Sequence, residues 1–389
     1  MSDTDVGTAA LASARALASD IARRAAEADQ LRTMPPDLAA RVEEAGLFAL
    51  WLPRALGGLE LDPLTIVDVI EELSRADGSA GWTTLIGNSS AFLAWLDPDV
   101  ARELIGGRPY GASTCVVVPS GAAVPTPHGY SVSGRWAFNS GVKHAAFSQV
   151  AAVVMDGSTP RLLPDGTPEW RLAFLPTLSA QVIETWDSPG LRGTGSHDLA
   201  LDGARVPEGL FVQPVRTQPR HDGPLWRFGL FANLNVTIMG WPLGVARRAL
   251  DEFATLAVTK TRGPQRVRLA DDPVLQLELA RAEGAVQAAR AFAVDVIGEL
   301  WDTACAGDPL TLDQRARLSL AAQQAVRGCV QAVDGVFRLA GAGVATTDHP
   351  LTRCFRDLHT VDAHIFVATD AATKYTKHLL GVPQPEYLL

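Results

Sequence analysis

Two histidines near the C-terminal end of the chain could take part in proton transfer. His359 and His364 follow Arg356 and Asp357, and no glutamate lies between Asp357 and Glu386. An imidazole can accept or donate a proton near neutral pH, which makes it a candidate general base where no carboxylate is at hand. Five positions separate the two rings, so on a helix only one of them can face a given site. A structural or solvated histidine is the alternative.

A glycine-rich turn and four scattered cysteines are the other candidates visible from residue type. Gly341, Ala342 and Gly343 follow a helical stretch, where exposed backbone NH groups could bind a phosphate or form an ordinary helix cap. The cysteines form no CxxC pair, so we predict no metal site and no disulfide framework, only reduced, packed thiols; they are Cys115, Cys305, Cys329 and Cys354.

Composition limits the classes of protein that need to be considered. The 389 residues are 47% hydrophobic and 20% charged, enough for a large core, and the net charge is -9 with no basic run. Nucleic acid is therefore not expected as a partner. The N-terminus lacks the cationic and apolar stretches of a secretory signal, and no run approaches roughly 18 consecutive apolar residues. We expect a cytoplasmic protein that does not enter a membrane.

Three blocks of different periodicity must position these residues. Helical spacing dominates residues 1–110, β-branched and aromatic segments separated by Gly, Pro and Ser occupy 111–220, and long helical stretches fill 221–389. Segregated blocks argue against alternating βαβ units. The sequence predicts an α+β multidomain fold with an N-terminal helical domain, a central antiparallel β-barrel or sandwich, and a C-terminal four-helix bundle.

Five strings in this order resemble the acyl-CoA dehydrogenase superfamily over nearly the whole chain. They are EEAGLFALWLPRALGGLELDP, EELSRADGSAGW, SGRWAFNSGVKHA, SPGLRGTGSHDLALDGARVP and LAGAGVATTDHPLTRCFRDLHTVDAHIF. Dehydrogenases of the family commonly carry a glutamate base after the segment that contains Arg356 and Asp357, and here His364 occupies that region. The string GRWAFNSG and His364 are more similar to the two-component flavin monooxygenases of the superfamily, such as the hydroxyphenylacetate and phenol hydroxylases.

This resemblance implies an activity, cofactors and partners. A separate NAD(P)H-dependent flavin reductase would supply FMNH2 or FADH2, which reacts with O2 to a C4a-hydroperoxide that hydroxylates a small, aromatic substrate of phenol or indole type. A homotetramer is implied. The open alternatives are N- or S-oxygenation, a dehydrogenase whose base is Glu71 or Asp362, and a non-catalytic scaffold of the same fold.

The resemblance also assigns site residues. Trp136, Asn139 and Ser140 correspond to residues that contact the edge of the flavin ring, and either Asn139 or Ser140 would lie near flavin N5. Asn139, Ser140 and His364 correspond to catalytic residues. Substrate contacts fall to Trp82, His144 and His364, although a tryptophan in an amphipathic helix is as readily part of the core. By the same resemblance, the flavin phosphates would be bound from a neighbouring subunit by Arg262, Gln276, Gly341, Ala342 and Gly343. The alternative for Arg262 is an ordinary surface charge, and the alternative for residues 341–343 is an ordinary helix cap.

Overall fold

The N-terminal third of this computed structural model is helical, and the structure describes residues 3–264, 266–364 and 369–384. Its helices are α1 (Asp3–Leu31), α2 (Pro36–Glu44), α3 (Pro63–Ala76), α4 (Gly78–Gly87) and α5 (Pro98–Ile105). Asp77 sets the start of α4, because its carboxylate accepts a hydrogen bond from the backbone NH of Ala80 at 2.9 Å. That cap fixes the direction of the helix that carries Trp82.

The central block folds into one eight-stranded sheet. Its strands are β1 (Ser113–Thr126), β2 (Gly129–Asn139), β3 (Phe147–Asp156), β4 (Thr159–Pro160), β5 (Trp170–Pro176), β6 (Gln181–Ile183), β7 (His197–Val206) and β8 (Phe211–Val212). The order is β6-β7-β2-β1-β3-β5-β8, with β4 paired to β3. Most pairs are antiparallel, as predicted, but β1 and β3 are parallel. The sheet is thus mixed, because the chain between β2 and β3 crosses over to the far side of β1.

Long helices form the C-terminal block. They are α6 (Gly229–Thr259), α7 (Pro273–Ala306) and α8 (Leu312–Ala340), followed by the shorter α9 (Pro350–Val361) and α10 (Thr369–Leu379). A two-stranded ribbon of β9 (Thr261–Arg262) and β10 (Val267–Arg268) joins α6 to α7. The C-terminal block is helical, as predicted. Gly341, with φ 70°, ends α8, and the chain turns before α9 begins at Pro350.

One segment is long and apolar enough to cross a membrane by length and composition alone. The stretch Pro224–Thr259 has a window of mean hydropathy 1.2, and 83% of that window is buried inside the protein. Its residues belong to the large core that unites the helices of both ends of the chain. Burial against neighbouring helices explains the apolar composition.

Candidate active site

A cavity of about 420 Å³ lies where the three blocks meet. Residues of α4, β1, the end of β2, the first turns of α6 and the segment after α9 line it. Its walls are mainly apolar; they include Trp51, Trp82, Leu85, Ile86, Phe92, Val116, Phe138, Trp186, Leu191 and Ile238. No Asp, Glu, Lys or Arg is among its described lining residues, so the cavity is uncharged apart from any titration of His364 and Cys115.

A chain of hydroxyl groups forms the main polar feature of this wall. The indole NH of Trp82 donates to the Ser140 hydroxyl at 3.1 Å, and Ser140 Oγ lies 2.7 Å from Ser196 Oγ. Ser196 is in turn 2.6 Å from Thr194 Oγ1. The positive φ of Phe138 (67°) turns the end of β2 so that Ser140 reaches the cavity. Trp82 and Ser140 are therefore brought together, whereas Ser196 was not anticipated from sequence.

His364 lies beyond the C-terminal end of α9, not within a helix. Its backbone NH donates to the carbonyl of Val361 at 2.7 Å, and its ring packs edge-on to Trp82 with centroids 5.2 Å apart. Desolvation by the surrounding protein lowers the pKa of His364 to about 4. The expected near-neutral pKa is thus corrected, because the ring is held as a neutral imidazole at physiological pH.

The second histidine of the pair is directed elsewhere. His359 Nε2 lies 2.8 Å from Asp334 Oδ1, and its ring packs on Phe355. It does not line the cavity. Only His364 of the two lines the cavity, but helical spacing is not the reason, because α9 ends at Val361.

The side chains of Trp136 and Asn139 point away from the cavity. Trp136 is fully buried in an apolar core formed by the strands of the sheet, where its indole NH donates to the Ala151 carbonyl at 2.6 Å. Asn139 is also buried, and its Nδ2 donates to the Trp136 carbonyl at 2.6 Å. Strand alternation, interrupted by an irregularity between Trp136 and Asn139, turns both side chains inwards. Neither residue lines the cavity, so a contact to a flavin from Trp136 or Asn139 would have to come from the backbone.

His144 belongs to a different cavity. Its Nε2 is 3.0 Å from Thr33 Oγ1, and it lines a space of about 470 Å³ near α2 together with Lys143 and Arg108. Burial lowers the pKa of His144. The turn after β2 points this ring towards the α1–α2 connection, so the assigned substrate contact is corrected.

A cluster of cations and glycines lies at the other end of α6. Lys260 Nζ donates to the Ala340 carbonyl at 2.6 Å, and Arg262 donates to the carbonyl of Leu339. A Cβ at Gly343 would lie 3.0 Å from Lys260 Nζ. The structure thus brings Arg262 next to the turn of Gly341, Ala342 and Gly343, as the sequence suggested. We call Lys260, Arg262 and residues 341–343 the cation–glycine cluster.

The side-chain hydrogen bond of Gln276 is not to a residue of this cluster. Its side chain is exposed and donates from Nε2 to the Ala270 carbonyl at 2.8 Å, on the connection between β10 and α7. Lys260 is the cation that sequence reasoning missed, although its place one residue beyond α6 and two before Arg262 was a usable signal.

The two carboxylates considered as dehydrogenase bases are engaged in ion pairs outside the cavity. Glu71 lies 2.9 Å from Arg290, and burial raises the pKa of Glu71. Asp362 lies 3.0 Å from Arg327. Neither is among the described residues that line the cavity.

Asp357 supports the cavity wall, a role the sequence did not indicate. Its Oδ1 accepts a hydrogen bond at 2.6 Å from the backbone NH of Leu191, a lining residue with φ 52°. Burial, reinforced by the charge of Asp77, raises the pKa of Asp357 to about 8. The residue is thus a neutral acid that holds the turn before β7.

These residues fit a flavin. Phe138 is 70% exposed beside the cavity and packs edge-on to Trp186 at 6.2 Å, so apolar aromatic side chains that could contact a ring system line this side of the cavity. The Ser140 hydroxyl supplies a polar contact within that surface, and the cation–glycine cluster has the groups that bind phosphate. In the parts of the chain that the structure describes, no group of three or more His, Cys, Asp or Glu side chains could hold a metal.

Family models match both helical ends of the chain. The acyl-CoA dehydrogenase N-terminal domain matches residues 7–96, and the C-terminal domain matches residues 236–369. The chain belongs to the acyl-CoA dehydrogenase family. This confirms the resemblance and the fold class predicted from sequence.

Within the acyl-CoA dehydrogenase family, the similar proteins are monooxygenases. Indole-3-acetate monooxygenase of Pseudomonas putida is 34% identical over 88% of this chain and 86% of its own length. The flavin-dependent monooxygenase oxygenase subunit HsaA of Mycobacterium tuberculosis is 26% identical over 94% of each chain. A crystal structure of HsaA has a TM-score of 0.89 at 25% identity, covering 98% of this chain and 100% of HsaA. XiaF from Streptomyces sp., solved with FADH2 and glycerol, has a TM-score of 0.89 at 25% identity, covering 98% of this chain and 97% of XiaF. The predicted monooxygenase branch is confirmed.

Proposed function

We propose that this chain is the oxygenase component of a two-component flavin-dependent monooxygenase that hydroxylates a small aromatic substrate of indole or phenol type. The observation that carries the proposal is the uncharged cavity, which combines the Trp82–Ser140 contact with His364 and has no carboxylate among its described lining residues. Removal of a proton α to a thioester would require a base of that kind. Relatives named as monooxygenases of indole-3-acetate and as an oxygenase subunit support the same assignment.

The residues of the cavity suit oxygen transfer. Reduced FMN or FAD, when bound, supplies the electrons that activate O2. Ser140 would hold the polar edge of the flavin ring, with Phe138 and Trp186 against its apolar face. The apolar walls exclude water, which limits loss of the oxidising equivalent as peroxide. His364, neutral at physiological pH, would accept a proton or hydrogen bond from the substrate or the reacting oxygen.

The length of α6 supports a site completed by a second copy of the chain. Asn233 lines the cavity near the start of α6, whereas Lys260 of the cation–glycine cluster follows its last residue. At 1.5 Å per residue these positions are about 40 Å apart, farther than one flavin nucleotide reaches. A flavin in this cavity would then be held at its phosphates by the cluster of a neighbouring subunit. A homotetramer provides such pairs of subunits, and a separate flavin reductase would supply the reduced cofactor.

A single-turnover reaction tests the proposal. Purified protein and chemically reduced FMN or FAD are combined without oxygen, then mixed with ¹⁸O2 and indole or phenol. We expect one ¹⁸O atom in the aromatic product, measured by mass spectrometry, and little free hydrogen peroxide. Stoichiometric peroxide without labelled product would contradict the monooxygenase assignment. Oxidation of an acyl thioester by tightly held FAD would favour the dehydrogenase.

A further inference from the structure

Asn233, a residue of the cavity wall, has a buried hydrogen-bond acceptor that is not used within the described structure. It lies in the second turn of α6, lines the cavity, and is only 2% exposed. Its Oδ1 is buried and has no hydrogen-bond partner in the described structure. Buried polar atoms are nearly always paired, so an orphaned acceptor in a cavity wall indicates a ligand that completes it.

Two other asparagines, Asn88 and Asn235, have hydrogen bonds that serve as a comparison for Asn233. Asn139 Oδ1 is also buried and unpaired, but Asn139 does not line the cavity. Asn88 also lines the cavity, but its Oδ1 accepts from the Leu50 NH at 2.7 Å and its Nδ2 donates to the carbonyls of Leu47 and Thr84. Asn235, two residues along α6, donates to Ser319 Oγ at 3.2 Å and is not a lining residue. Of the two asparagines among the described lining residues, Asn88 has its Oδ1 paired and Asn233 does not.

The charge of the cavity limits what can pair with this acceptor. The described lining residues include no Lys or Arg. A carboxylate brought into this space would lose its hydration without gaining a cation. A neutral N–H or O–H group would instead pair with Asn233 at little cost, because it carries no charge to desolvate.

We propose that Asn233 Oδ1 accepts a hydrogen bond from the ring N–H or the O–H of an uncharged aromatic substrate, and that the cavity selects such substrates over aromatic acids. The proposal rests on the proposed function for the identity of the site, but the selection concerns binding alone. The relative from Pseudomonas putida is named for indole-3-acetate, which carries a carboxylate. The proposed preference for uncharged substrates therefore differs from the substrate in that name.

Equilibrium binding to the flavin-free protein tests the proposal. The probes are indole, benzofuran and indole-3-acetate, measured by isothermal titration calorimetry. Benzofuran has the shape of indole with an oxygen in place of the N–H, so it cannot donate to Asn233. We expect wild-type protein to bind indole about 10-fold or more tightly than either other probe, as sites built around a hydrogen bond reject analogues that lack it. In Asn233→Leu, indole and benzofuran should bind with nearly equal affinity.

Matched variants separate this role from a general effect on packing. Asn235→Ala removes the neighbouring amide of the same helix and should keep the indole-to-benzofuran ratio. Asn233→Ala removes the acceptor without adding the bulk of leucine, so it should also bring the affinities for indole and benzofuran together, and it provides a second test if the leucine variant fails to fold by circular dichroism.

Three results would overturn the proposal. They are an unchanged ratio in Asn233→Leu, equal affinity of the wild type for indole and indole-3-acetate, and no measurable binding of indole. Failure of the proposed function looks different, because it would leave the selective binding intact while the single-turnover reaction with ¹⁸O2 gave no labelled product.

Discussion

The cavity and the cation–glycine cluster have opposite physical characters, although α6 connects them. The cavity is enclosed by apolar side chains and has no charged residue among its described lining, so even His364 is held neutral. The cluster lies at the surface, with Lys260 and Arg262 donating to the carbonyls at the end of α8. A reaction that must exclude water and the recognition of a hydrated phosphate require different surroundings, and the fold places them at opposite ends of one helix.

The largest effect is expected from replacing His364, which should change the rate of reaction without changing cofactor binding. His364→Ala should slow formation of the hydroxylated product by about 100-fold or more, in the range of a lost proton-transfer group, while flavin affinity changes little. Single-turnover product analysis and flavin titration measure the two quantities. His359→Ala is the control, because His359 pairs with Asp334 outside the cavity, and its rate should stay close to wild type. Equal rates for His364→Ala and wild type would remove His364 from the mechanism.

A second pair of substitutions acts on the other region. The double variant Lys260→Ala/Arg262→Ala should weaken flavin binding by about 10- to 100-fold, since each cation contributes a charge-assisted hydrogen bond to phosphate. Indole binding to the flavin-free protein should not change. Arg268→Ala serves as the control, because Arg268 on the same ribbon pairs with Asp271 at 2.9 Å. Unaltered flavin affinity in the double variant would show that the cluster is an ordinary helix cap.

Ser140 tests whether the hydroxyl chain belongs to the flavin site. Ser140→Ala removes the acceptor of the Trp82 NH and should weaken binding of flavin by about 3- to 10-fold, the cost of one neutral hydrogen bond. Fluorescence titration of the flavin gives the affinity. In Ser179→Ala, an exposed hydroxyl that donates to the Pro176 carbonyl is lost, and no change is expected. Equal affinities for both variants would argue that Ser140 only supports Trp82.

The smallest effect is expected from pH. The pKa of His364, about 4, means that the ring is neutral from pH 8 down to about pH 5 and gains a proton only below that range. The single-turnover rate of the oxygenation step should therefore stay nearly constant over this interval and fall as the pH approaches 4. Rapid-mixing experiments in a series of buffers measure it. An inflection near pH 6.5 that disappears in His364→Ala would show that the ring is more hydrated than the cavity suggests.

Sequence reasoning succeeded where a property depends on order and type of residues. The succession of helical, strand and helical blocks was predictable, because it depends on the periodicity of each block. The directions of the Trp136 and Asn139 side chains could not be read from the sequence, because an irregularity in the β2–β7 register between these residues decides which side chains face the cavity. His144 was misplaced because a turn sets its direction.

By itself, the sequence determined the family, the fold class and the absence of a glutamate base between Asp357 and Glu386, because these depend on local periodicity and on residues being present or missing. Only the tertiary structure decided that His364 meets Trp82, that Asp357 is a buried acid holding Leu191, and that Asn233 lines the cavity with an unpaired Oδ1. Burial and pairing arise from segments far apart in the chain, so the pKa of a histidine or the unused acceptor of an asparagine cannot be read from its neighbours in sequence.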